Sequence, residues 1–573
     1  MKYIILDVEL YFDLSGRTSM KETGLVSLLS RLKFEDILQY VAIPNIRIEP
    51  RPGGANSKRD LRKRDIASES EGRQDLVQVF ESLRKKGVKT ILKVVVDDSL
   101  PQPHSDEAIE NALRGMDVEV WDWRRIDLSS EVIYNAAPKV REVHLHWSGN
   151  NAVIQGWSDE GGLKKLKELK RVYLYIHQGL ETSSRTRENA EKFTTRMGQL
   201  CPRVKVEKIF QQRPKLASLN AGQNNDGKDE QTAAKHEWLE CMRKFRTLLI
   251  TAEHTYRQKR LPENIEEHIK IALIDDGVDV TDPNLPEGLE LSGRTFCTRN
   301  GHGEHNLNHP YYASGAGHGT TMAKQIYSMC PSAQLYVLRL EDHPSDDGRT
   351  RQLDAKSAAR AIRAAVQKGV HIISMSWTIL PPEDAAVEQL LDQAVKAADQ
   401  ANILMFCSAS DKGVKKSDTY PAKGTNRIFT IGAAKASGIK EQWVGKDIDF
   451  TFPGYKVPQG VTTVTGSSVA TALAAGLAAL VLYCVQVRLA ISTAEHEREK
   501  ARRQFRLLRR HENMHRAFGH SIGTTEGSEY KFLAVWDVFG KACEKADAAP
   551  AHEDERLIEF VAEVGSALCM KLP

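Results

Sequence analysis

The sequence has no CxxC pair, no phosphate-binding GxxxxGK[ST] loop and almost no charge excess. Each absence excludes something. Eight cysteines are scattered singly, at Cys201, Cys241, Cys297, Cys330, Cys407, Cys484, Cys543 and Cys569. That pattern supports neither a zinc site nor a dense disulfide framework, and it points to a reducing, cytoplasmic setting. Without a phosphate loop, a nucleotide role has no support. Lysine and arginine total 80 against 76 acids, and a net charge of +4 on 573 residues does not argue for a nucleic-acid partner. The opening MKYIILDVELYFDL is interrupted by Asp7, Glu9 and Asp13, and no small-residue cleavage site follows. It reads as part of a folded element rather than as a signal peptide.

One long run does lack charge. From Val469 to Val487 no charged residue occurs, which is the length and polarity of a membrane-spanning helix. Yet the run opens on Gly466-Ser467-Ser468 and is packed with alanine, which points to crowding inside a protein rather than to lipid.

Composition shifts divide the chain. Residues 1–50 read as a mostly helical N-terminal segment. Residues 51–74 are rich in Gly, Ser and charge and read as a linker. Residues 75–213 alternate between helical spacing (LVQVFESLRKKG) and strand-like runs (VKTILKVVVDD, DVEVWDWR, REVHLHW, RVYLYIH), which predicts an α/β domain with a regulatory or recruiting role. Asp97 and Asp98, at a strand end, read either as a metal site or as part of a scaffold that binds a protein partner. A second polar linker spans 214–234, and a helical connector spans 235–266. Strand–helix alternation resumes over 267–487, and the remainder, 488–573, reads as helical.

Three short motifs lie in the 267–487 stretch. In IKIALIDDGVDV an apolar strand runs into Asp275-Asp276-Gly277, which puts a carboxylate at the carboxyl edge of a buried sheet, where α/β sites form. In GAGHGTTMAKQI, His318 opens a helical pattern among small residues. In TGSSVATALAAG, Ser468 precedes the long apolar run, near amides that have no intrahelical partner. An acid, a histidine and a serine at the mouths of elements in one α/β domain are the set required for acyl transfer. Serine needs a base to take its proton, and the base needs a carboxylate to orient it.

The order Asp, His, Ser in the contexts IDDGVD, GHGTTMA and GSSVATALAAG resembles the subtilisin-like serine proteases. The resemblance spans about residues 268–487. It implies an α/β fold with a subtilisin-like parallel sheet flanked by helices, beside a separate N-terminal α/β domain and a helical C-terminal extension. It implies that Asp275 orients, His318 is the general base and Ser468 the nucleophile. The strand VHIISMSWTI would line the substrate cleft with Ser374, Ser376 and Trp377, and Gly413, in the loop after the next strand, would line it too. The apolar run then resembles the family's central helix, so no membrane span is expected. The substrates implied are proteins or peptides. The chemistry requires no cofactor. Many relatives hold structural calcium, and no loop here is specific enough to name its ligands.

Departures from the pattern carry information. Ser467 and Ala472 stand where the family has Thr and Pro. Trp377 replaces an expected glycine, and its bulk is expected to narrow the cleft. In ILMFCSASDKG, Asp411 falls where the family has the asparagine that donates to the oxyanion. An ionised Asp donates nothing, whereas a protonated one can. Loss of that donor in subtilisin-type catalysis costs roughly 100- to 1,000-fold in rate. The expectation is a serine endopeptidase that is slow or favoured at acid pH. The alternative is a pseudoprotease that keeps the fold as a binding module.

Overall fold

A computed structural model of the chain describes residues 9–14, 19–49, 72–98, 102–177, 181–210, 236–258, 265, 267–282, 284–285, 289, 291–297, 309–344, 351–411, 414–445, 447–460, 462–525, 531–549, 556–570 and 572. Most of the expected linker 51–74 and all of 214–234 lie outside these residues, as does Gly413. The chain forms two compact units, one within Met1–Lys228 and the other from Asp229–Asn300 with His309–Pro573.

The first unit is built on an eight-stranded parallel sheet. Its strands are β1 (Tyr11–Asp13), β2 (Ile37–Leu38), β3 (Tyr40–Ile43), β4 (Thr90–Val96), β5 (Asp117–Trp123), β6 (Glu142–Trp147), β7 (Arg171–Ile176) and β8 (Lys205–Phe210). Their order is β1-β3-β4-β5-β6-β7-β8, with β2 paired to β4. Helices α1 (Glu22–Arg31), α2 (Leu76–Lys85), α3 (Asp106–Leu113), α4 (Ser130–Ala136), α5 (Asn151–Trp157) and α6 (Ser183–Leu200) connect them. Strand order follows chain order, so right-handed crossovers send successive helices to the same face. Trp121, Trp123, Val143, Leu145 and Trp147 are buried beneath them. On the other face, by alternation, lie polar rings, with His144 stacked on Tyr173 and His146 on Tyr175, both at 4.7 Å.

This sheet corrects the reading of residues 1–50 as mostly helical. Among the described residues there, only α1 is an α-helix, while β1, β2 and β3 pair into the sheet. Strands of two to four residues are too short to show a period-two pattern. Of the two strand-end acids, Asp98 accepts hydrogen bonds from the His104 amide, the His104 ring and the Trp123 indole N–H. No group of three or more metal-ligating side chains occurs among the described residues.

His104 sits between two carboxylates, with Nδ1 2.8 Å from Asp98 and Nε2 2.9 Å from Asp75. A ring that donates from both nitrogens is an imidazolium. Burial pushes its pKa down, but the bonds to Asp75 and Asp98 outweigh burial and hold it above the usual histidine value. Asp75 also accepts from Arg73 and from the Ile48 amide, so the clasp ties residues 46–48 to 73–75 and to the sheet edge. The raised folded pKa fixes the sign of the pH effect. The clasp's stabilisation is complete below the unfolded histidine pKa of about 6.5 and is lost as pH rises through the folded value. Denaturant melts of the full chain should therefore show the first unit weakening on the alkaline side. His104→Gln should flatten that dependence; an unchanged slope in the variant would assign the effect elsewhere.

The second unit carries a seven-stranded parallel sheet: β9 (Lys270–Asp275), β10 (Leu291–Thr295), β11 (Gln334–Arg339), β12 (Ile372–Met375), β13 (Leu404–Ser408), β14 (Phe429–Ala434) and β15 (Phe450–Pro453). The order is β10-β11-β9-β12-β13-β14-β15. The chain builds to one side of β9 and then to the other, which makes β9 the switch point where a crevice opens at the carboxyl edge. The helices are α7 (Glu237–Gln258), α8 (His318–Met329), α9 (Ala355–Lys368), α10 (Ala385–Gln400), α11 (Ser467–Ile491), α12 (Glu495–Leu508), α13 (His511–Arg516), α14 (Phe539–Asp547) and α15 (Leu557–Cys569). Ala272, Ile274, Ile373, Met375 and Met405 pack against alanine-rich α9 and α10 in one core cluster.

Among the described residues, α11 is the one helix long and apolar enough to cross a membrane, and 94% of its most apolar stretch is buried inside the protein. It runs against β12–β15, α8 and α15. Glycines permit the contact: a Cβ on Gly476 would lie 2.8 Å from the Ile326 carbonyl oxygen, and one on Gly565 2.5 Å from that of Cys484. A helix apolar on every side is one buried on every side. The boundary expected at 487 falls inside α11, which continues to Ile491. The expected connector is an integral part of this unit, since Trp238 donates to the Leu533 carbonyl and Phe245 packs edge-on to Phe539.

Candidate active site

Asp275 ends β9 and is 1% exposed. One carboxylate oxygen accepts the Asp276 amide at 2.8 Å, and both face His318 Nδ1, at 2.9 and 2.8 Å. With Nδ1 donating to Asp275, Nε2 is left with its lone pair. The His318 side chain is 33% exposed, so it is held from behind and open in front. His318 begins α8, whose N-cap is Gly317 at φ +80°. Arg339, at the end of β11, donates to the carbonyls of Pro310 and Ala313 and so anchors the segment leading to His318.

Asp276 was not singled out in the motif and proves central to it. It is fully buried. Its Oδ1 accepts from the Ser314 hydroxyl at 2.8 Å and the Gly319 amide at 2.7 Å, and its Oδ2 accepts from the Ala316 amide at 2.7 Å. The doubled acid in IDDG was the available signal.

Ser468 lies in the first turn of α11 and is half-buried. Its backbone carbonyl accepts from Ser376 Oγ at 3.1 Å, which fastens the helix start to the segment after β12. Gly466 caps the helix at φ +151°; a Cβ there would stand 2.9 Å from Ser468 Oγ and 3.6 Å from Asp411 Oδ2. Ser468 and Asp411 therefore flank one point. Asp411 Oδ2 accepts the Ser467 amide at 3.2 Å, while Ser467 Oγ accepts from the Ala433 amide. Burial pushes the Asp411 pKa up, against hydrogen bonds from Ser467 that pull it down, and the net shift is upward. His318, bonded to Asp275, and Ser468, beside Asp411, lie in the first turns of α8 and α11, which pack along each other.

Two cleft expectations are corrected. Trp377 is 7% exposed and donates its indole N–H to the Ile274 carbonyl at 2.8 Å, so its bulk fills the core rather than narrowing a cleft. Ser374 is fully buried, and its hydroxyl has no partner among the described residues. Ser376 alone of the three is bonded to the serine turn.

Residues 266–499 match the model of the subtilase family. This segment is a subtilase domain. That family is one of serine-type hydrolases that act on peptides or proteins. The subtilase match continues past the expected end at 487, to residue 499 in α12. Solved structures similar to the chain include the protease domain of PatA, at 19% identity, covering 49% of this chain and 97% of that one with a TM-score of 0.34. The epidermin leader peptide processing serine protease from Staphylococcus aureus is 18% identical, covering 52% and 81%, with a TM-score of 0.35. The nisin leader peptidase from Lactococcus lactis is 14% identical, covering 53% and 95%, also at 0.35. No curated protein matches the chain significantly in sequence.

Proposed function

We propose that the chain is a serine endopeptidase in which Asp275, His318 and Ser468 act as one unit. The observation that carries this reading is the His318–Asp275 pair at the carboxyl end of the switch-point strand, with His318 on a helix packed along the one that carries Ser468 in its first turn. In this reading Ser468 Oγ attacks the substrate carbonyl as His318 Nε2 takes its proton. The C–O bond forms, the carbonyl π pair moves to oxygen, and Asp275 stabilises the imidazolium. The intermediate then expels the amine, which takes the proton from His318. Water repeats the sequence on the acyl-enzyme and restores Ser468.

The oxyanion needs donors. The Ser468 amide is one, since first-turn amides have no intrahelical partner. Asp411 is the second, and it donates only when protonated. That condition makes the peptidase conditional and motivates the second reading, a pseudoprotease in which an ionised Asp411 keeps turnover negligible. The eight free cysteines support an intracellular setting. The first unit is then a recruiting or regulatory domain for a protein partner.

A fluorophosphonate probe separates the two readings. Labelling of the folded chain at Ser468, abolished in His318→Ala, is the expected outcome. Folded protein that takes up no label at any pH between 5 and 8 would leave the pseudoprotease reading standing.

A further inference from the structure

We propose that Asp276 is a positioning residue that latches the His318 loop to the end of β9, and that it sets the rate of the chemical step without touching substrate. The inference rests on the reading of His318 as the general base.

The run 314–319 is wrapped around this one side chain. Three donors from three separate residues converge on the carboxylate: the Ser314 hydroxyl, the Ala316 amide and the Gly319 amide. The backbone carbonyl of Asp276 takes a fourth, from the Gly315 amide. Ser314 Oγ in turn accepts the Gly317 amide at 2.8 Å, so the hydroxyl relays the latch to the N-cap of α8. The residues fastened lie on both sides of His318. Asp275 thereby holds the ring through Nδ1, and Asp276 holds the backbone on either side of it.

The local glycines fit this arrangement and no looser one. A Cβ on Gly319 would stand 2.9 Å from Asp276 Oδ1 and 2.2 Å from the Gly277 carbonyl oxygen. Gly277 is at φ +96°, and its Cβ would stand 2.2 Å from the Ala313 carbonyl oxygen. The two turns are pressed together, and the carboxylate fills the space between them. Ala316 and Gly319 offer amide donors that a full carboxylate satisfies and an amide side chain cannot. In Asp276→Asn the Nδ2 group would meet an N–H where Oδ2 or Oδ1 now accepts. Among the described residues, other charged groups near this turn are Asp275, bonded to His318, Arg339, whose guanidinium is held by the Pro310 and Ala313 carbonyls, and Asp279, whose carboxylate accepts from Thr281. On the next turns of α8, Lys324 is paired with Asp282. None of these bonds the 314–319 amides in place of Asp276.

The test is Asp276→Asn and Ser314→Ala in the full chain, with kcat expressed per site titrated by the fluorophosphonate probe. A misplacement of about 1 Å costs on the order of 100-fold in rate. Asp276→Asn should lower kcat per titrated site about 10- to 100-fold with KM unchanged, and Ser314→Ala should lower it less. A second readout does not require turnover: the downfield proton resonance of the His318 Nδ1–H···Asp275 bond, identified by its loss in His318→Ala, should shift or broaden in both variants. Wild-type kcat per titrated site and an unmoved resonance would reduce Asp276 to a folding role and overturn the proposal. Should Asp276→Asn fail to fold, Ser314→Ala with unchanged kcat and resonance overturns it equally. Failure of the peptidase reading looks different: the wild type itself would neither label nor turn over, while the resonance would still report on the latch.

Discussion

Ser468→Ala in the full chain is expected to lower kcat for peptide hydrolysis roughly a million-fold, down to what binding and the remaining oxyanion donors supply. The size follows from the step removed. Oγ is the atom that attacks, and no neighbouring hydroxyl stands in for it, because Ser467 Oγ is bonded to the Ala433 amide and is fully buried. The fold should not change, since alanine is the best helix former and Ser468 sits in a regular first turn. His318→Ala should cost a similar factor, and the double variant should cost little more than either alone, because base and nucleophile act as one unit. Steady-state kinetics on the three proteins and matched melts would check this. Hydrolysis that persists at the wild-type rate in Ser468→Ala would remove Ser468 as the nucleophile. Additive losses in the double variant would show that His318 serves some other step.

How much of this was legible in the sequence depends on what kind of information each residue carries. Asp275, His318 and Ser468 stand out because each is embedded among residues that answer to backbone geometry: Gly277 and Gly319 for turns pressed to 2.2 Å, and Gly466 for a left-handed cap. Such needs are local, so the string records them. The sheet of residues 270–453 was legible because its inner strands are almost fully buried and read as near-continuous apolar runs. Trp377 was misread because its direction depends on a partner about 100 residues away, the Ile274 carbonyl, which no local pattern encodes. The strands Tyr11–Asp13 and Tyr40–Ile43 were missed for the same reason: they are held by pairing with each other and with β4 rather than by their own periodicity. Asp276 was overlooked because one acid sufficed for the motif, and the need for the second appears only when the 314–319 loop folds back onto it.

Asp411→Asn should do the opposite of most active-site substitutions and raise activity at neutral pH, by about 100-fold if the Asn supplies the full oxyanion donor. In the native chain, burial raises the Asp411 pKa and bonds from Ser467 oppose that rise. At neutral pH the carboxylate is an acceptor for the Ser467 amide and repels charge developing nearby. As pH falls towards the raised pKa, the protonated fraction grows and an O–H becomes available to the oxyanion. The same fall in pH protonates His318 and removes the base. The wild type should therefore show a narrow bell on the acid side, set by an acid that must keep its proton and a base that must lose one. Asparagine donates at every pH, so the variant's optimum should broaden and move towards neutral. Stability should not fall. The raised pKa means that burial disfavours the ionised carboxylate in the fold more than the Ser467 bonds favour it, so at neutral pH a neutral amide should leave the denaturant midpoint unchanged or raise it. A variant that is faster at neutral pH and no less stable identifies Asp411 as a brake on the oxyanion hole. A variant that is slower at every pH would mean that the bond from Ser467 to a full carboxylate, which fixes the first turn beside Ser468, matters more than the charge it brings to the oxyanion.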